Sequence, residues 1–209
     1  METATQLLIA GGRDGFGLDG TAYTEVVDAA HRAPSWLDGL ASAYSTYGLA
    51  LFAVLMVIGW WRARDQDARR AVLALAAPAL TVIAFAVSTG LKQVVREDRP
   101  CRSLRVITLE ACPAPGDWSF PSNHATLAAA AAVALWFVSV RLGVVATVAA
   151  LAMALSRVWV GAHYPHDSLA GLAVGALVAL PLARAVSRHA LTAAGFLGRT
   201  TRLRPLITS

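Results

Sequence analysis

AVLALAAPALTVIAFAVSTGL, residues 71–91, contains no charged side chain. That length matches the roughly 17–25 apolar residues a helix needs to cross a bilayer. Charge is also missing from Leu49–Trp61, His124–Val140, Leu142–Ser156 and Ser168–Ala183. The whole chain is 56% hydrophobic and 15% charged, with a mean hydropathy of +0.55, too apolar for an ordinary soluble domain. Several runs are alanine-rich, as buried helices of large soluble proteins are. A chain of 209 residues, however, leaves too little amphipathic sequence to wrap five such helices. The expected fold class is therefore all-α, an integral membrane helical bundle of about five to six transmembrane helices.

Spans are expected at about 44–61, 71–91, 123–140, 142–160 and 167–187. They define a transmembrane domain over 44–187, preceded by an N-terminal segment (1–43) and followed by a basic tail (188–209). The first apolar run, Leu7–Ala10, is too short for a signal-peptide core, and Gly11–Gly20 reads as glycine-rich loop. Tyr23–Leu40, interrupted by Pro34, mixes apolar and charged positions and suits a surface helix that feeds the first span. A sixth span there would have to bury Glu25, Asp28 and Arg32.

Arg62, Arg64, Arg69 and Arg70 mark the first link as cytoplasmic, and Arg141 marks a second link on that side. The tail, with Arg184, Arg188, Arg199, Arg202 and Arg204, agrees. The long segment 92–122 then faces outside, although it carries Lys92, Arg96, Arg99, Arg102 and Arg105. These cations, partly offset by Glu97, Asp98, Glu110 and Asp117, point to an anionic substrate rather than to a cytoplasmic loop. Cys101 and Cys112 are the only cysteines and both lie there. In an outside loop a disulfide between them is physically reasonable; two free thiols are the alternative.

Lys92 is the one lysine among 18 basic residues. Alternating spans bring Lys92 and Arg99 to the same membrane face as Ser122, Asn123 and His124, which open the third span. Arg157, at the end of the fourth, and His163 and Asp167, before the fifth, arrive there too. Lys92, Arg99 and Arg157 supply fixed positive charge for a phosphoryl group, and Ser122 with the N–H groups of Asn123 and His124 adds neutral donors at a helix start. His163 and Asp167, four apart, allow a carboxylate to hold one imidazole nitrogen while the other acts as nucleophile. His124 is placed to protonate the leaving oxygen. A competing metal site would use His124, His163, His166 and Asp167, against the repulsion of three nearby cations. His166 is otherwise an interfacial residue or substrate neighbour. His31 and His189 read as surface histidines. Trp60, Trp61, Trp118 and Trp159 suit the membrane interface, and Trp136 suits packing between helices.

The blocks Lys92-QVVRED-Arg99-Pro100, Pro121-Ser122-Asn123-His124 and Ser156-Arg157-VWVGA-His163-YPH-Asp167 resemble the three signatures of the type 2 phosphatidic acid phosphatase superfamily. Asn123 stands where glycine is usual. The resemblance implies Lys92, Arg99, Ser122 and Arg157 as phosphate ligands, His124 as acid and base, His163 as nucleophile and Asp167 as its partner. It also implies catalysis without metal or other cofactor. The compact chain, its single long outer loop and Gly161-Ala162-His163-Tyr164-Pro165 are similar to bacterial undecaprenyl-diphosphate phosphatases of that superfamily. Relatives with the same site act on phosphatidylglycerol phosphate, phosphatidate or decaprenyl-phosphoryl ribose phosphate. Soluble vanadium haloperoxidases share the cage, but uncharged spans argue against them here. A non-catalytic protein binding lipid phosphate head groups is a further alternative.

The partners this implies are a phosphorylated lipid entering from the outer leaflet and anionic lipids, with no nucleic acid. Arg96, Arg102 and Arg105 suit either a second phosphate or such head groups. The oligomeric state is left open.

Overall fold

Runs without charge became helices in the computed structural model, which describes residues 16–64, 66–104, 106–199 and 203–207. The order is α1 (Phe16–Arg32), α2 (Ser35–Tyr47), α3 (Leu49–Arg64), α4 (Ala68–Val95), α5 (Pro100–Ser103), α6 (Asn123–Val138), α7 (Val140–Trp159) and α8 (Pro165–Arg199), then a 3-10 turn at Arg204–Leu206. The fold is all-helical, as the composition required.

α6 is the centre of the bundle and packs against α3, α4, α7 and α8. Its sequence explains this position. Ala125, Ala128, Ala130, Ala131 and Ala134 are buried, and small side chains let neighbouring backbones approach on every side. The approach is closest toward α8. A Cβ added at Gly171 would run into the carbonyl oxygen of Ser122 and lie 3.0 Å from Ala125 Cβ. This contact sets the start of α6 against the start of α8, where the charged blocks lie.

Three stretches, Ala68–Ser103, α7 and α8, are long and apolar enough to cross a bilayer, and the bent pair α2–α3 adds a fourth. α6 has 16 residues, or roughly 24 Å at about 1.5 Å per residue, less than a hydrocarbon core of about 30 Å. Enclosed by other helices, it has little lipid to match. Among the described residues, length and composition alone thus give three to four candidate spans, with α6 a shorter apolar helix beside them.

Several boundaries also differ. The expected span 44–61 is broken at Gly48, where α2 and α3 meet at 57°. Gly48 lies where the small and polar stretch Ser42–Tyr47 gives way to the apolar run from Leu49, and absence of charge alone runs through it. Residues 16–20, expected in a loop, already belong to α1, which is kinked at Asp19. Tyr23–Leu40 is divided between α1 and α2 at Pro34. The joint before α7 is Ser139 alone, so Arg141 lies in the first turn of α7. α8 continues to Arg199, past the expected end at 187.

Trp136 packs between α6 and α7, as expected: its ring lies against Gly143, where an added Cβ would run into it, and its Nε1 donates to Thr147 Oγ1 at 2.9 Å, although 43% of the residue stays exposed. Arg64 lies over the Trp61 ring at 3.8 Å and the Trp60 ring at 5.4 Å. His31 and His189 are exposed, as expected. Arg105 and Arg202 lie outside the described residues.

Candidate active site

Lys92 occupies the last turn of α4, which ends at Arg96 in the left-handed region (φ 53°, ψ 44°). That turn of the backbone sends Glu97–Arg99 back across the end of the bundle. Lys92 Nζ donates to the carbonyls of Trp118, at 2.6 Å, and Ser119, at 2.9 Å. Arg99 donates from Nε to the Asp117 carbonyl (2.9 Å), from Nη2 to Asp117 Oδ1 (3.0 Å) and from Nη1 to the Ala162 carbonyl (2.9 Å). Both cations are buried. Together they hold the segment 117–119 in place.

Ser122 caps α6. Its hydroxyl accepts from the Ala125 N–H at 3.5 Å, and its own N–H donates to the Asp167 carbonyl at 3.0 Å. The side chain of Asn123 turns away to Ser88, whose hydroxyl donates to Asn123 Oδ1 at 2.7 Å. His124 follows in the first turn of α6, half-buried. Arg157, in the last turn of α7, donates from Nη1 to the Ser45 hydroxyl and to Glu110 Oε2 at 3.1 Å. Its buried Nε has no hydrogen-bond partner among the described residues.

His163 lies in the loop between α7 and α8, with Asp167 in the first turn of α8; both are fully enclosed. His163 Nδ1 lies 3.3 Å from Asp167 Oδ2, and Nε2 lies 3.3 Å from Arg99 Nη1. A guanidinium only donates, so Nε2 is the acceptor and Nδ1 carries the proton shared with Asp167. Burial pushes the His163 imidazole well below the ordinary histidine pKa, and the Asp167 hydrogen bond opposes this only in part. The ring is therefore neutral, with its lone pair on the nitrogen that faces the cations.

Asp167 is itself fixed. Its Oδ2 accepts from the Tyr164 N–H at 2.9 Å and from the Ser119 hydroxyl. Ser119 Oγ also lies 3.3 Å from His163 Nδ1.

The metal set considered from sequence is not assembled. Among the described residues, the His and carboxylate atoms that gather closely are those of Glu97, His166 and Asp167, without His124 or His163. His166 is instead held by Asp19 and Glu97, with Nδ1 2.7 Å from Asp19 Oδ1 and Nε2 3.0 Å from Glu97 Oε1. Cys101 and Cys112 form a disulfide, with their Cα atoms 5.9 Å apart, which closes the loop carrying Arg102 and Glu110. Arg102 donates to the Pro113 carbonyl, and Arg96 donates from Nε to the Gln93 carbonyl at 2.9 Å.

The profile of the PAP2 superfamily matches residues 70–191, more than half of the chain and all of the residues just described around His163 except Ser45 and Asp19. The chain belongs to the PAP2 superfamily.

Among curated PAP2 relatives, the undecaprenyl-diphosphatase BcrC of Bacillus subtilis is 32% identical over 145 residues, covering 69% of this chain and 72% of its own. The decaprenylphosphoryl-5-phosphoribose phosphatase of Mycobacterium tuberculosis is 36% identical over 105 residues, 50% of this chain and 56% of its own. The crystal structure of a transmembrane PAP2-type phosphatidylglycerolphosphate phosphatase from Bacillus subtilis superposes with a TM-score of 0.56 at 19% identity, covering 81% of this chain and 86% of that one. At that identity the likeness concerns the fold. The protein is a multi-pass membrane protein and a PAP2-type lipid phosphatase.

Several PAP2 site neighbours were not visible in the sequence: Ser119 on Asp167, Asp117 on Arg99, Ser45 and Glu110 on Arg157, and Asp19 on His166. Each is a polar residue in a loop, on a capping turn or on a helix distant in sequence. None recurs at a spacing that marks it. The acidic offset assigned to Glu110 and Asp117 was the nearest signal.

Proposed function

We propose that this PAP2 protein hydrolyses a polyprenyl diphosphate, undecaprenyl diphosphate being the expected substrate, to the monophosphate through a phosphohistidine intermediate and without a metal. The observation that carries the mechanism is the His163 ring, neutral and held by Asp167 with Nε2 turned to Arg99. The identity to an undecaprenyl-diphosphatase over 69% of the chain supports the substrate.

In the first step the Nε2 lone pair attacks the terminal phosphorus. The bond from that phosphorus to the bridging oxygen breaks, His124 in its protonated form gives that oxygen a proton, and the polyprenyl monophosphate leaves. The imidazolium of phosphohistidine 163 keeps its Nδ1 proton against Asp167. In the second step His124 takes a proton from water, whose oxygen attacks the same phosphorus. The P–N bond breaks, inorganic phosphate departs, and both histidines return to their starting states.

Lys92, Arg99 and Arg157 offset the charge that spreads over the equatorial oxygens, with Ser122 and the start of α6 adding neutral donors. Asn123 contributes through its backbone, because its side-chain oxygen is engaged by Ser88. An orphaned Nε on Arg157 is a donor that a phosphate oxygen would satisfy.

The tail of the lipid follows a groove of about 390 Å³ between α2 and α7, lined by Leu37, Leu40, Tyr44, Leu155 and Trp159. Ser156, beside Arg157, also lines it, and Tyr44 is next to Ser45, so the apolar surface reaches the phosphate site. Positive charge in the links at the other end of the bundle supports a site on the extracytoplasmic face.

Phosphate release by the purified protein in detergent with EDTA tests this. Undecaprenyl diphosphate is compared with phosphatidylglycerol phosphate, phosphatidate and decaprenyl-phosphoryl ribose phosphate, beside a His163→Ala control. Preference for the diphosphate, lost in the control, is the expected result. Preference for a glycerol-based lipid would move the enzyme to phospholipid metabolism, and no release from any substrate would leave a binding role.

A further inference from the structure

His166 stands between the proposed nucleophile and its aspartate in the sequence, yet no step of the reaction uses it. Its surroundings are more constrained than those of most residues that do react. The ring is stacked against Tyr164, with centroids 5.4 Å apart and planes at 15°, and against Phe120 at 5.9 Å and 29°. Nδ1 lies 2.7 Å from Asp19 Oδ1. Nε2 lies 3.0 and 3.2 Å from the two oxygens of Glu97 and 3.5 Å from Asp167 Oδ1. A ring that donates from both nitrogens serves Asp19 and Glu97 and faces Asp167 Oδ1, which has no hydrogen-bond partner among the described residues. The backbone N–H of His166 donates to Asp19 Oδ2 at 2.6 Å. Asp19 therefore caps α8 from a different helix, 147 residues away in the chain, while holding the side chain of the same residue.

Asp19 is delivered by the kink in α1 (φ −149°, ψ 26°). The rest of α1 is fastened to the same loop. Tyr23 is fully buried, its hydroxyl donates to the Gly161 carbonyl at 3.0 Å, and its ring meets Tyr164 at 5.3 Å. Gly161 has φ 80°, and an added Cβ would also press on Thr108 at 2.7 Å, so this turn accepts α1 only as glycine. Tyr23, Val27, Val158 and Tyr164 form a small core of their own beneath the helix.

Asp19 reaches the His163–Asp167 pair through His166, from which two routes run. One passes into the first turn of α8, where Asp167 lies. The other passes through Glu97, whose carbonyl accepts from the Ser119 N–H at 2.7 Å; the Ser119 hydroxyl then donates to Asp167. The two routes converge on the same carboxylate.

We propose that Asp19, His166 and Glu97 form a positioning relay through which helix α1 fixes the His163–Asp167 pair, an inference that rests on the phosphohistidine mechanism above. The three residues touch no reacting atom. They set the angle at which Asp167 holds Nδ1, and through it the direction of the Nε2 lone pair. A misplacement of about 1 Å at such a distance from the chemistry is able to cost about a hundredfold in rate.

The test uses the full-length protein with Asp19→Asn, His166→Gln and Glu97→Gln, and the Asp19→Asn/His166→Gln double variant. The readouts are kcat, KM, thermal midpoint and bound metal. Each single variant is expected to lower kcat by about ten- to a hundredfold while KM stays within about threefold, because orientation and not binding is lost. The double variant is expected to be no slower than the worse single, as residues in one chain of contacts are not additive. Tyr23→Phe, which removes one hydroxyl from the same helix and leaves every charge in place, is expected to lower kcat in the same direction. It keeps the question open to measurement if a charge variant does not fold. His189→Gln, on the exposed part of α8, keeps wild-type kcat.

Wild-type kcat in both Asp19→Asn and His166→Gln would overturn the relay, as would a change confined to KM or a multiplicative loss in the double variant. Stoichiometric metal in the wild type that disappears in His166→Gln would overturn it too, since the ligand atoms of Glu97, His166 and Asp167 lie within 4.8 Å of one another. A wild-type protein that releases no phosphate from any substrate would overturn the proposed function and the relay together. An active wild type with unaffected variants overturns the relay alone.

Discussion

Lys92, Arg99 and Arg157 are buried at one end of the bundle, each bound to groups of the protein. At the other end Arg62, Arg70 and Arg141 line a cavity of about 350 Å³ and are exposed, Arg70 pairing with Asp67 at 3.6 Å. By count the two clusters are alike, and hydropathy treats them alike. The difference lies in what holds them. Lys92 is bound by two carbonyls, and Arg99 by two carbonyls and one carboxylate, that of Asp117. Arg157 is bound by a hydroxyl and one carboxylate, that of Glu110. Neutral oxygens orient a cation without cancelling it, so the buried cations are fixed in direction by groups that only partly offset them. A solvated arginine at a membrane face orients the chain and little else.

Arg157→Lys sharpens this comparison most. It keeps the charge but loses the planar donors and the bonds to Ser45 and Glu110, and kcat/KM is expected to fall by about 10²–10³-fold. A loss under about threefold in steady-state kinetics would mean that charge alone suffices there and the geometry is incidental.

Opening the loop that carries Glu110 comes next. Cys101→Ser with Cys112→Ser frees a sequence separation of 11 residues, and the chain-entropy cost is about 3 kcal/mol of stability. Thermal unfolding in detergent is expected to show a lower midpoint, with activity at low temperature reduced less than in Arg157→Lys. An unchanged midpoint would show that the contacts of Lys92 and Arg99 with the segment 117–119 hold the loop without the crosslink.

The smallest effect belongs to the exposed cluster. Arg141→Gln is expected to change stability by no more than about 0.5 kcal/mol and to leave kcat/KM within about twofold of wild type. A large loss would mean that the two ends of the bundle are coupled.

The same contrast separates what was legible in the sequence from what was not. The cores of α4, α6, α7 and α8 follow from the absence of charge, and the start of α6 follows from Pro121-Ser122. The bend at Gly48 does not, because charge is missing on both sides of it, although Ser45, Thr46 and Gly48 itself stand before the apolar run from Leu49. The length of α8 does not, because its last turns mix Arg184, Arg188 and Arg199 with alanine and leucine, and only one face, through Ala190 and Ala194, packs into the core. At the site, spans of alternating direction are enough to bring Lys92, Arg99, Ser122, His124, Arg157, His163 and Asp167 to one end. What orients them was hidden. Ser119, Glu110, Ser45 and Asp19 reach their partners through side-chain contacts between distant segments, and such contacts follow from tertiary packing rather than from any period along the chain.

The central claim is that His163 forms a covalent bond to phosphorus. Acid-labile phosphohistidine, measured by rapid quench and peptide mapping after mixing His124→Ala protein with terminally ³²P-labelled undecaprenyl diphosphate, tests it most directly. Label on His163 is expected to form more slowly and persist in His124→Ala, which lacks both the acid of the first step and the base of the second, to turn over in wild type and to be absent from His163→Ala. Release of labelled phosphate by wild type at an undiminished rate in His163→Ala, with no labelled histidine in any variant, would contradict it.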